Sequence, residues 1–261
     1  MDFGQIVYAI PSWLLFIITA GISIGSVEAG AQFAKFVLRH REKEPDAPLG
    51  SLVGSVLGLL AFILAFTFGM TASRYEARKQ LVLDEANAIG TTYLRAGLLP
   101  SAQKGEIRRL LREYTERRLR ATHGTIPDVL THSDRIQDLL WTQAESLTKS
   151  DMDSELRSLF IASLNEVIDL HESRLTVGLR YHIPNAIWIC LSLITVLSML
   201  SIGYQVGMAG WKRLLGMPFM SLAFSLVVVM IANMDNPSNG GFHVSHQPLV
   251  DTYEMMKRRS E

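Results

Sequence analysis

Few side chains in this 261-residue chain are spaced for covalent chemistry. His243 and His246 form an H-x-x-H pair, but no acidic residue or cysteine stands at helical spacing beside them, so they read as two solvated imidazoles rather than a zinc site. The single cysteine, Cys190, sits in an apolar run with no nearby histidine. That excludes an intrachain disulfide and leaves a thiol nucleophile unsupported. Neither a phosphate-binding G-x-x-x-x-G-K loop, a G-x-G-x-x-G turn nor an H-E-x-x-H helix occurs. No catalytic residue, metal ligand or cofactor is assigned, and an enzyme is not expected.

Binding chemistry is better represented. Lys104 to Arg120 holds seven basic residues against three glutamates. Its one aromatic, Tyr114, lies on the apolar side, so the run reads as a solvated helix face and no nucleic-acid partner is expected. Gln80, Asp84, Asn87, Thr91 and Arg95 recur at helical spacing as a polar stripe, opposite Val82, Ala86, Ile89, Tyr93 and Ala96. That stripe either faces bulk water or, in a ring of identical subunits, a central aqueous axis. Upstream, Phe62, Phe66 and Met70 share one face, where symmetric copies would form an apolar constriction of the kind that gates by dewetting. Singly, the same three residues would face lipid or a core. Asp235, at the end of an apolar run, is expected to mark the membrane edge and to bond the irregular backbone that follows it.

The elements that must position these residues follow from where charge is missing. No Lys, Arg, Asp or Glu occurs in Phe3–Val27, Leu49–Ser73, Tyr181–Trp211 or Leu214–Met234. A membrane span needs about 20 apolar residues, so four spans are expected. The first is a retained span rather than a signal peptide, because Asp2 stands where a basic leader would be, despite the small run Ala29-Gly30-Ala31. Residues 74–180 hold 16 of the 25 basic and 16 of the 25 acidic residues and form a helical soluble block without net charge. The expected fold is an all-α membrane protein, with spans one and two in 1–73, a soluble domain in 74–182, spans three and four in 183–234 and an irregular tail in 235–261.

Between Gly50 and Pro100 no proline interrupts the chain, so span two should continue as one helix into the soluble block. Gly50, Gly54, Gly58, Ala61, Ala65 and Gly69 keep one of its faces nearly free of side chains and suited to helix packing. Further helices are expected after Ser101 as a cap, after a Thr131-to-Asp134 capping box, and from Asp153-Ser154, with Pro184 opening span three. Six basic residues in the short loops (Lys35, Arg39, Arg41, Lys43, Lys212, Arg213) against five beside the soluble block (Arg74, Arg78, Lys79, Arg174, Arg180) leave the orientation open.

Two runs carry a resemblance. The first is Asp84 to Pro100, with Glu85, Asn87, Gly90, Tyr93 and Arg95. The second is Asp235-Asn236-Pro237 followed by Ser245 and Pro248. They resemble the bestrophin-like domain family of bacterial membrane proteins. The resemblance to bestrophins implies an inner-membrane protein with cytosolic soluble domain and termini, and a symmetric homo-oligomer, a pentamer by analogy. It also implies that the second spans line a pore for inorganic anions, with Phe62, Phe66 and Met70 as its neck. No acidic cluster resembles the bestrophin calcium clasp. The expected function is an oligomeric ion channel; the alternative is a membrane-anchored scaffold or sensor whose soluble helices bind a partner.

Overall fold

The computed structural model describes residues 3–40, 49–120, 126–149, 152–209, 216–236 and 241–259. Nine α-helices occur among them: α1 Phe3–Ala9, α2 Ser12–His40, α3 Leu49–Arg95, α4 Ser101–Arg120, α5 Ile126–Ser146, α6 Ser154–Leu175, α7 Asn185–Met208, α8 Gly216–Asp235 and α9 Gln247–Arg258. Among the described residues there is no strand. Four of these helices, α2, α3, α7 and α8, are long and apolar enough to cross a membrane. The loop around residues 41–48, the Lys212-Arg213 turn and Pro237 lie outside the described residues.

The chain forms two compact units. One comprises Met1–Tyr75 with Tyr181–His243, the other Glu76–Arg180 with Val244–Glu261. Helix α3 is unbroken over 47 residues, as the absence of proline permits, and contributes to both.

In the apolar unit, α2 and α7 approach almost backbone to backbone. Ala20, Ser23, Val27, Gly30 and Ala34 form the buried stripe of α2 at three- and four-residue steps. A Cβ on Gly30 would stand 2.1 Å from the Leu200 carbonyl oxygen, and one on Gly203 1.9 Å from that of Val27. Small residues thus set the approach of these helices, as expected where lipid removes the hydrophobic drive for association. Leu60, Leu64, Trp188, Leu191, Met199 and Ile231 fill the core beside them.

In the charged unit, apolar stripes of α3, α4, α5 and α6 converge on Ile89, Tyr93, Leu111, Leu140, Phe160 and Leu164. Asp153 caps α6, accepting from the backbone N–H groups of Glu155 and Leu156. Pro184 opens α7.

Three expectations are corrected. The chain after Asp235 is not irregular throughout, because α9 forms with Pro248 in its first turn and buries Leu249 and Met256, spaced to share one helical face. The α4 start is capped by the Pro100 carbonyl, which accepts from Gln103 and Lys104, and Ser101 is already helical. Helix α5 begins at Ile126, so Thr131 lies inside it and no capping box opens the helix there.

The glycine contact makes a prediction. Gly203→Ala drives a methyl into the Val27 carbonyl and should cost about 1–3 kcal/mol as overpacking. Gly25→Ala, with nothing within 4 Å, should leave the fold intact. Size-exclusion profiles and thermal unfolding of the detergent-purified variants separate the two, and equal stability would contradict the close approach.

Candidate functional site

Along the apolar part of α3, Phe62 and Phe66 are 68% and 58% exposed, and Met70, one turn further, is half-buried. The small-residue face beside them is also open within the chain. Gly54, Gly58 and Gly69 have no neighbour within 4 Å of a built Cβ, and Gly50 meets only the Gln205 amide at 3.4 Å. Ala61 and Ala65 are exposed. Close helix packing in this unit uses Gly30 and Gly203, which spacing along α3 did not reveal.

The polar stripe divides. Gln80 and Asn87 and Thr91 are exposed, and the Gln80 amide donates to Asp84 Oδ1 at 2.9 Å. Arg95 is committed elsewhere: its Nη1 donates to the Leu159 carbonyl at 2.8 Å and ties α3 to α6. Of the motif residues, Tyr93 is fully buried and its hydroxyl donates to the Met256 carbonyl, while a Cβ on Gly90 would stand 3.7 Å from both the Met255 and Thr252 side chains of α9. Ser245 accepts from the Gln247 N–H.

Glu85 was legible only as a motif residue. The structure buries it completely at the centre of an ion cluster. Arg118 of α4 grips it in a fork, Nε to Oε1 at 3.0 Å and Nη2 to Oε2 at 2.9 Å. Arg174 of α6 adds its Nε at 3.3 Å, and the Tyr114 hydroxyl donates to Oε1 at 3.0 Å. The His171 Nδ1 lies 3.0 Å from that hydroxyl on its other side and 3.4 Å from Arg174 Nη2. Burial opposes ionisation of Glu85, but the Arg118 and Arg174 charges outweigh it and hold the pKa at about 2. Burial, with the Arg174 charge, pushes His171 from 6.5 to about 4. His246 is half-buried just ahead of α9 and moves the same way for the same first reason, so it is not the freely solvated imidazole expected.

Asp235 ends α8 fully buried. Among the described residues it accepts from the Ile183 N–H at 2.8 Å, from Arg74 Nη1 at 3.1 Å and from the Tyr8 hydroxyl, while the irregular backbone it was expected to bond falls largely on 237–240, outside the described residues. Trp188 Nε1 donates to that hydroxyl at 3.0 Å, and the Asn236 amide donates to the Tyr8 carbonyl at 3.1 Å. Helix α1, seven residues without a charge, is held by this knot.

None of these clusters has catalytic geometry. Gly21 to Gly25 matches the G-x-S-x-G pattern, but it lies inside α2 with no strand before it, so Ser23 sits on no nucleophile elbow. Among the described residues no three His, Cys, Asp or Glu side chains are grouped to hold a metal ion.

Two measurements test the ion cluster. Glu85→Gln leaves two guanidiniums without their carboxylate and should cost about 3–5 kcal/mol, whereas Glu113→Gln, which breaks exposed pairs, should cost under about 1 kcal/mol. Denaturant unfolding of both variants decides. His171 contributes stability above pH 6.5 that is lost as pH falls toward 4, because the unfolded chain takes up a proton that the buried imidazole refuses. His171→Gln should flatten melting temperature against pH across that window, and an unaltered profile would remove His171 from the account.

The model of the bestrophin-like domain matches residues 14–249. A crystal structure of a bacterial bestrophin homologue from Klebsiella pneumoniae is similar with a TM-score of 0.64 at 17% identity, covering 94% of this chain and 95% of that one. A single-substitution variant of that homologue gives 0.63 at 16% identity, covering 95% and 98%. At that identity the likeness carries the fold. No curated protein matches the chain. The all-helical architecture, the four apolar spans and a family match over most of the sequence agree: this multi-pass membrane protein belongs to the bestrophin-like family.

Proposed function

We propose that the protein is a symmetric homo-oligomeric ion channel of a bacterial inner membrane, with α3 of each copy lining the pore. The observation that carries this reading is how little of α3 its own chain covers. Its apolar window is 17% buried, against 28% in α2 and 33% in each of α7 and α8.

An open face made of Gly54, Gly58, Ala61, Ala65 and Gly69 offers lipid little to contact, but it lets another helix come close. Copies meeting along that face place Phe62 and Phe66, about 100° round the helix, toward a shared axis. With Met70 they make an apolar constriction that closes by dewetting. Gln80, Asp84, Asn87 and Thr91 continue the lining on the water side. By kinship with bestrophins, the ring is a pentamer, the permeant ion an anion, and the soluble helices and both termini cytosolic.

Planar-bilayer recording of the purified protein tests the reading. Conductance with a reversal potential that follows the anion gradient is expected, and Phe66→Ala should raise the current by widening the constriction. No conductance under any salt or voltage overturns the proposal and returns the protein to the scaffold alternative.

A further inference from the structure

Helix α4 sorts its basic residues into two classes. Arg109 pairs with Glu106 at 2.6 Å and with Glu113 at 3.0 Å, Arg117 with Glu113 at 3.0 Å, Arg120 with Glu116 at 2.5 Å, and Arg118 with the buried Glu85 at 2.9 Å. Lys104, Arg108 and Arg112 remain, one turn apart on a single face, with no ion pair among the described residues. They line a cavity of about 340 Å³ together with Ser101, Tyr93 and, from beyond the end of α9, Arg259. Among the described residues no carboxylate lines it. The neighbouring cavity of about 430 Å³ shares Arg112 but contains Glu113 and Glu116, so its charge is balanced internally.

The basic cavity is also organised before anything enters it. The Arg108 guanidinium lies 4.8 Å from the centre of the buried Tyr93 ring. It rests on Gly97, where a Cβ would come within 2.5 Å of Nη2, so the missing side chain makes room for it. Its Nε is buried with no hydrogen-bond partner. A cation fixed by stacking, with an unspent donor, loses little entropy on meeting an anion. The start of α4 at Ser101 adds the positive end of a 20-residue helix.

We propose that this cavity binds a multiply charged, phosphate-bearing anion. Four converging cations need several negative charges to balance them, which a simple carboxylate does not bring, and the guanidiniums of Arg108 and Arg112 match phosphate oxygens in pairs. The volume falls in the range of small-ligand pockets. Two sources carry this chemistry, a free polyphosphate and a phosphorylated lipid headgroup. The inference does not rest on the channel reading.

Calorimetric titration of the full-length protein in detergent tests it, with inorganic tripolyphosphate in one arm and a short-chain phosphatidylinositol bisphosphate in the other. Saturable binding in either arm is expected, and the tighter arm identifies the source. Arg112→Gln and Arg259→Gln should each weaken binding by about tenfold or more, while Arg109→Gln, a paired base outside the cavity, should leave it unchanged. Arg259 is exposed, so its variant keeps the test open should Arg112→Gln fail to fold. No saturable binding in either arm, or binding that Arg112→Gln and Arg259→Gln leave unaltered, overturns the proposal.

Discussion

A carboxylate removed from water must be met by cations and hydrogen-bond donors, and in the charged unit Glu85 imposes that demand on three helices at once. Arg118 answers it from α4, Arg174 from α6, and Tyr114 fills the remaining donor position with His171 behind it. The apolar residues around the cluster would tolerate several arrangements of helix on helix, but the bidentate fork on Glu85 accepts one. It fixes the rotation of α3 about its own axis against α4 and α6. The faces that α3 leaves exposed, including Asn87 and Thr91, follow from that rotation.

The two units solve helix packing by different means. Where lipid is the solvent, burying leucine against leucine gains little, and α2 and α7 associate through glycines that let carbonyls approach. Where water is the solvent, large side chains such as Tyr93, Tyr114 and Phe160 carry the core, and the carboxylate buried among them, Glu85, has both oxygens bonded. Helix α3 takes part in both arrangements, which is why no single hydrophobic period describes its length.

The spans were legible because lipid tolerates so little: four charge-free windows have few other readings. The continuity of α3 was legible from the absence of proline over fifty residues. The ion cluster was not, because Arg118 and Arg174 stand 33 and 89 positions from Glu85 and nothing local links them. A signal was nevertheless present. Glu85 falls among Val82, Ala86 and Ile89 on an apolar face, and Arg118 lies one turn beyond Tyr114 on the matching face of α4. Two opposite charges on two buried faces ask for each other. Helix α9 was hidden by the irregular run before it, although Leu249 and Met256 already had helical spacing. Helix α1 had no comparable mark, since seven residues are too few to display a period.

The length of α3 has a geometric consequence. At 1.5 Å per residue, its 47 residues make a rod of about 70 Å with no proline to bend it. That is more than twice the about 30 Å hydrocarbon thickness of a bilayer, so the helix cannot be accommodated in lipid along its whole length.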